Sequence, residues 1–232
     1  MMSPPEWLRP LVDAAAGVDP ASITRFPAPP DGGRPSAVLV LFGEDAPAYQ
    51  SDGVVPGPDV LVLQRAARMR KHAGQPAFPG GASDPGDDGP AGTALREARE
   101  EVGLDASSVE VLATLPKLWI PVTGFVVTPV LAWWREPHPV RPVAHEEVAR
   151  VERLPIAELT DPENRVRVRH PSGFIGPAFK VRDMLVWGFT AGVLTAMLQL
   201  AGWERPWDPD RVEELPAEQV DDVPPELRFP PG

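Results

Sequence analysis

The chain of 232 residues contains no cysteine. Disulfides, zinc–thiolate sites and cysteine nucleophiles are therefore excluded. Its four histidines, His72, His138, His145 and His170, are scattered without metal-ligand spacing, so none reads as a zinc ligand. There is no Gly-x-Ser-x-Gly turn and no P-loop motif, which leaves serine-hydrolase and P-loop NTPase chemistry without support. Basic residues are outnumbered, 22 against 33 acidic, for a net charge of −11. Duplex phosphates need cations to neutralise them, so nucleic acid is not an expected partner. The long apolar run from Met184 to Leu200 is interrupted by Gly188, Thr190, Gly192, Thr195 and Gln199. It is short for a membrane span and reads as a buried amphipathic helix, so no membrane partner is expected. The opening, Met1-Met-Ser-Pro-Pro-Glu6, is neither basic nor followed by an apolar segment, and a cytoplasmic location is expected.

What is present suits a sizeable core, since 43% of residues are hydrophobic. The 32 prolines point to long connections rather than a helical bundle. Charge is uneven: residues 203–232 hold nine acidic and three basic residues, leaving the body only mildly acidic. That Pro-rich acidic stretch reads as a loosely ordered tail. Residues 1–35 read as an N-terminal extension with a short helix from Pro5 to Ala16 and a Pro/Gly linker. Strands are expected over Ser36–Phe42, Val60–Arg65, Val109–Leu115, Phe125–Trp134 and Glu147–Leu154. Pro129 suggests an edge or bulge in the fourth of these. A short helix is expected at Ile156–Leu159, a hairpin over Arg165–Phe179 and a closing helix from Arg182 to Ala201. Strands flanking two helices predict an α/β (α+β) fold, a mixed β-sheet sandwiched between helices, over residues 36–202.

One stretch carries the chemistry. Gly74-Gln-Pro-Ala-Phe-Pro-Gly-Gly81 leads through a spacer containing Asp87 and Asp88 to Arg96-Glu-Ala-Arg-Glu-Glu-Val-Gly-Leu104. A helix from Ala91 to Val102, stopped by Gly103, is expected. Glu97, Glu100 and Glu101, spaced i, i+3 and i+4, share one face of it. Ala91, Ala94, Leu95, Ala98 and Val102 fall on another. Three like charges repel, and a hard divalent cation would relieve them with oxygen ligands. The same spacing also suits an ordinary salt-bridged surface helix, with Arg96 and Glu100 as an i, i+4 pair. Upstream, Arg65, Arg68, Arg70, Lys71 and His72 form a basic segment suited to phosphate. A second group, Arg165, Arg167, Arg169 and His170, alternates as on a strand face and reads as structural or as a further substrate contact.

Gly81, Asp87 and Arg96 to Leu104 resemble the Nudix box, a metal-binding loop–helix–loop. The chain departs from it by an aspartate in place of the first glutamate and by one extra residue before Arg96; counted strictly, Ala82 and Asp88 take those places. Leu61 to Gly81, with Arg65, Arg70, Gly74 and Phe78, resembles the element of the coenzyme A diphosphatase branch of the Nudix hydrolases. That element typically has Thr and Ser where this chain has Leu63 and Ala66. Residues 122–129 and 186–192 are also similar to that branch. The resemblance implies Mg²⁺ or Mn²⁺ as cofactor, held by Glu97, Glu100, Glu101 and the Gly81 carbonyl. It implies Glu100, Glu101 and a further acid in catalysis, with Glu147 the first candidate and Glu146 the second. Arg65, Arg70, Gly74 and Phe78 are the implied substrate contacts. The substrate is then coenzyme A or a derivative, cleaved to 3′,5′-ADP and 4′-phosphopantetheine. Another nucleoside diphosphate derivative, such as ADP-ribose, NADH or a damaged nucleotide, is the alternative. A nucleotide-binding module without activity is a third. Whether the chain forms a homodimer is left open.

Overall fold

A computed structural model describes residues 3–23, 32–44, 57–69, 72–121 and 123–220. Two strands form its spine: β1 (Arg34–Gly43) and β7 (Phe125–Trp134), parallel from Arg34 opposite Phe125 to Phe42 opposite Trp133. Both are near-continuous apolar runs because helices cover both faces of the sheet. On one side of β1 lie β2 (Asp59–Arg65) and β4 (Gly80–Ala82), both antiparallel to it. β2 in turn pairs with β3 (Pro76–Ala77) and β8 (Val148–Pro155). On the far side of β7 lie β5 (Val109–Thr114) and β6 (Leu118–Ile120).

Alternation along β1 sends its side chains to two cores. Leu39 and Leu41 join Ala94, Ala98 and Val102 of helix α2 (Gly89–Val102). Val40 and Phe42 face the other way, toward Leu11 of α1 (Arg9–Ala15) and Leu194 and Met197 of α4 (Gly188–Leu200). The result is the expected mixed sheet sandwiched between helices. A short α3 (Ile156–Leu159) follows β8 where a helix is expected. A second sheet runs β11 (Met184–Val186), β10 (Ile175–Val181), β9 (Arg165–Arg169), β12 (Val212–Glu214).

Three expectations need correction. Pro129 is neither at an edge nor in a bulge of its own strand, since β7 lies between β1 and the β5–β6 pair. Its carbonyl accepts from Leu115 N–H, just past the end of β5. A strand residue's N and O point to the same neighbour, so the missing donor falls in the break between β5 and β6. The closing helix begins at Gly188 rather than Arg182. Arg182 and Asp183 take φ of 53° and 57°, the geometry of a type I′ turn, and fold β10 back into β11. The segment after Ala201 is not loosely ordered as far as Val220. Trp203 sits 5.8 Å from the rings of both Trp7 and Phe42, and β12 adds to β9 in parallel. Residues 221–232 of that acidic stretch lie outside the described residues.

Candidate active site

Helix α2 is fixed at both ends. Gly103 closes it in the left-handed conformation, φ 72°, with its N–H bonded to the Ala98 and Arg99 carbonyls. At the other end Arg96 reaches back over the spacer. Its Nε and Nη2 grip the Asp87 carboxylate at 2.8 and 3.1 Å, and Nη2 also donates to the Ala82 carbonyl at 3.0 Å. Of the two aspartates it is Asp87, not Asp88, that pairs with Arg96. The hydrogen bond from Arg96 pulls its carboxyl well below the usual range. Gly89, at φ 64°, turns the spacer into the helix, and its N–H bonds the Asp87 carbonyl.

The three glutamates do not share one environment. Glu100 is half-exposed. Arg96 Nη1 bridges its Oε2, at 3.2 Å, and Glu97 Oε1, at 3.0 Å. Glu101 is only 5% exposed, at the margin of the apolar face rather than on a separate acidic one. Its Oε2 accepts the Gly80 N–H at 2.9 Å. Burial pushes its pKa up to about 8; the Gly80 bond opposes this, and the charges of Glu97 and Glu147 add to it. Burial also raises Glu97, with the charges of Glu100 and Glu147 adding and Arg96 opposing.

β4 explains why this cluster needs two glycines. A Cβ on Gly81 would strike the Glu97 carboxylate, and one on Gly80 would strike the Ala37 carbonyl and approach Val38 Cα to 2.7 Å. The bonds Leu39 N–H to Pro79 O and Ser83 N–H to Pro35 O flank the Ala37–Gly81 pair. By antiparallel alternation, Gly81 bonds to Ala37 through both its N–H and its carbonyl. The Gly81 carbonyl, expected as a metal ligand, is thus turned toward β1. Gly80 points its N–H at Glu101, so its carbonyl faces the glutamates instead. The Pro-Gly-Gly sequence marks the place, and only the strand register separates the two glycines.

Glu147 ends a turn just before β8, tied by Ala66 N–H to its carbonyl at 2.7 Å. Its charge acts on both Glu97 and Glu101. Glu146 is instead paired with Arg68 at 2.9 Å, and Arg68 also donates to the His145 carbonyl at 2.5 Å. Arg68 is thereby committed to holding this turn. Arg65, at the end of β2, lies close enough for its charge to oppose the raised pKa of Glu101. Its Nε is buried without a hydrogen-bond partner among the described residues. Gly74, at φ 70°, turns the chain so that its N–H reaches the Arg65 carbonyl.

Other expected contacts fall elsewhere. Phe78 is 3% exposed and belongs to the core shared with α1 and α4, so it is not available to a ligand. Arg70 and Lys71 lie outside the described residues. Arg165 is buried between the rings of Phe179 and Trp207 and pairs with Glu204. Arg169 pairs with Glu214, and His170 stacks on Trp187. The structural reading of that second basic group is the one these contacts favour.

A carboxylate-bearing helix is thus seated behind a double-glycine strand, on a sheet covered by helices. A family model described as the NUDIX domain matches residues 34–172, and the chain belongs to the Nudix family. It is 42% identical over 144 residues to a Citrobacter koseri protein named uncharacterized Nudix hydrolase NudL, covering 59% of this chain and 72% of the relative. A Cronobacter sakazakii protein of the same name is 39% identical over 158 residues, covering 65% and 79%. Among solved structures, the M. smegmatis Nudix hydrolase RenU shares the fold, with a TM-score of 0.51 and 20% identity over 78% of this chain and 96% of that one. Membership makes the chain a hydrolase of phosphorus anhydrides in nucleoside diphosphate derivatives, in a family that generally uses divalent metals such as Mg²⁺ or Mn²⁺. The donor chemistry suits such an ion, since the candidate ligands are all oxygens. Burial raises the pKa values of Glu97 and Glu101, with neighbouring carboxylates adding. Among the described residues no three acidic or histidine side chains are already drawn together as a metal site, so an ion would have to gather them.

Proposed function

We propose that this chain is a coenzyme A diphosphatase, hydrolysing coenzyme A or its derivatives to 3′,5′-ADP and 4′-phosphopantetheine. The observation that carries this reading is the continuity of the Arg65–Gly81 segment with the carboxylate site. The stretch that resembles the coenzyme A element ends in the two glycines against which Glu97 and Glu101 rest.

Glu97, Glu100, Glu101 and the Gly80 carbonyl would hold Mg²⁺ or Mn²⁺, which when bound neutralises diphosphate oxygens. Glu147 is exposed, and its charge acts on partly buried Glu97 and buried Glu101, which supports a role in taking a proton from the attacking water. Arg65 is suited to phosphate through its guanidinium fork, and Gly74 leaves the backbone open to close approach. Arg70 is assigned the 3′-phosphate by resemblance alone. Arg96, between Glu97 and Glu100, offsets part of their repulsion before an ion binds.

The second reading is hydrolysis of ADP-ribose, NADH or a similar compound, and what supports it is the departure from the coenzyme A element, Leu63 and Ala66 standing in place of its Thr and Ser. The test is product analysis by mass spectrometry after incubation with coenzyme A, Mn²⁺ and ¹⁸O-water, run beside ADP-ribose and NADH. The expected products are 3′,5′-ADP and 4′-phosphopantetheine with ¹⁸O in one of them. Much faster cleavage of ADP-ribose or NADH would overturn the coenzyme A assignment.

A further inference from the structure

We propose that residues 203–220 form a strap that positions the loop of residues 72–75, which leads into β3, beside the active site, with Gln75 as the positioning residue through which it acts. The inference rests on the reading of that loop as substrate-facing.

The strap lies beyond the stretch matched by the family model, yet it is anchored at three points. At its start, Glu204 Oε1 accepts from Arg165 Nη2 at 3.0 Å and from the Trp207 indole N–H at 3.3 Å. In its middle, β12 lies along β9, and Leu215 N–H bonds the Arg169 carbonyl. Leu215 itself is buried with Val166, Val168 and Ala178, and Val220 packs on the same cluster. At its end, the strap meets the loop: Gln75 Nε2 donates to the Gln219 carbonyl at 3.2 Å.

Gln75 is well placed to transmit this hold. Its Oε1 lies 3.2 Å from His72 Nδ1, and its backbone carbonyl accepts from Arg65 N–H. One residue therefore joins the strap, His72 and Arg65. The loop needs such outside support. His72 is a non-glycine residue at φ 55°, and Gly74 sits at φ 70°. Conformations of this kind persist only where their surroundings over-determine them. A second prop comes from α4, where Thr190 Oγ1 donates to the Pro76 carbonyl. The alternative is that residues 203–220 only stabilise the second sheet and leave the loop unaffected.

The experiment uses the full chain and two variants, Gln75→Met and Leu215→Ala. The first removes the side-chain bonds of Gln75, and the second loosens the strap remote from the loop. Amide hydrogen exchange is followed at Gly74 and Gln75, whose N–H groups bond Arg65 O and His72 O. Both variants are expected to speed exchange at these two amides by about tenfold or more while amides of α2 keep wild-type rates. They are also expected to raise KM for coenzyme A about five- to tenfold with kcat nearly unchanged. Unchanged loop exchange in Gln75→Met overturns the proposal, as does a fall in kcat at constant KM. Should Leu215→Ala unfold, the milder Leu215→Val takes its place, and unchanged loop exchange in that strap variant overturns the proposal, because Gln75→Met also removes the bond to His72. If the wild type leaves coenzyme A intact but loop exchange rises as expected, the strap stands and the substrate assignment falls.

Discussion

Glu101 stands where stability and chemistry conflict. It is nearly fully buried, has one backbone donor, and has two other carboxylates near enough to raise its pKa. Its pKa of about 8 lies above that of an unfolded glutamate, so the folded state holds the proton more tightly than the unfolded state. The stability this supplies is fully present below about pH 4.5 and is lost as pH rises through about 8. Metal-free protein should therefore melt at progressively lower temperature between those limits. Glu101→Gln removes the charge but keeps an acceptor for Gly80 N–H. It is expected to be more stable than wild type by on the order of 1–3 kcal/mol at pH 8, with little difference at pH 5. It is also expected to lose activity by about two or more orders of magnitude. Thermal melts across pH in a chelator, paired with turnover in Mn²⁺, check both halves. An active Glu101→Gln would remove the residue from the proposed ion site.

At the scale of elements, the site is the junction of β4 and α2, and its two glycines serve different ends. A Cβ at Gly80 meets backbone of β1, whereas the three atoms nearest a Cβ at Gly81 all belong to the carboxylate of Glu97. Backbone in a central strand cannot yield, but a side chain can swing aside. Gly80→Ala is therefore expected to cost stability, on the order of 2–3 kcal/mol. Gly81→Ala is expected to melt within a few degrees of wild type yet to lose activity about tenfold or more, because Glu97 is displaced. Denaturant titration and turnover of each variant separate the two; equal loss of stability in both would mean that Glu97 has no room to move. Much of this junction is legible in the sequence. The glutamate spacing, the Gly103 stop and the Phe78-Pro-Gly-Gly81 approach all report on local geometry, which sequence encodes directly. What is not legible depends on register and packing. Which glycine carbonyl faces the helix follows from the pairing of β4 with β1. The commitment of Arg68 to the turn at Glu146, and the burial of Phe78, depend on partners far along the chain. The start of α4 is obscured for another reason: Arg182-Asp183 makes a turn from residues that give no glycine signal.

For the whole molecule, the question is whether the two ends are appendages or part of one cooperative unit. Composition sets them apart, one rich in Pro and Gly and the other in acid and Pro, and composition says nothing of where a few large apolar side chains settle. Trp7 and Trp203, from opposite ends of the chain, lie against each other, and Trp203 also meets Phe42 of the central strand. Leu8 and Leu11 are completely buried in the core that holds α4. A helix of 7 residues is too short to persist alone, so α1 exists because of this packing. Leu11→Ala removes a buried side chain where the surrounding sheet and α4 limit collapse. It is expected to lower the stability of the entire domain by about 2–4 kcal/mol, shifting one transition rather than adding a second. Because the chain holds seven tryptophans, urea unfolding is followed by far-ultraviolet circular dichroism and by the fluorescence difference between this protein and a Trp7→Phe variant, which isolates the signal of Trp7. Coincident curves displaced to lower urea would show one unit spanning α1 to residue 203. An early fluorescence transition with circular dichroism unmoved would instead make the N-terminal helix a separable appendage.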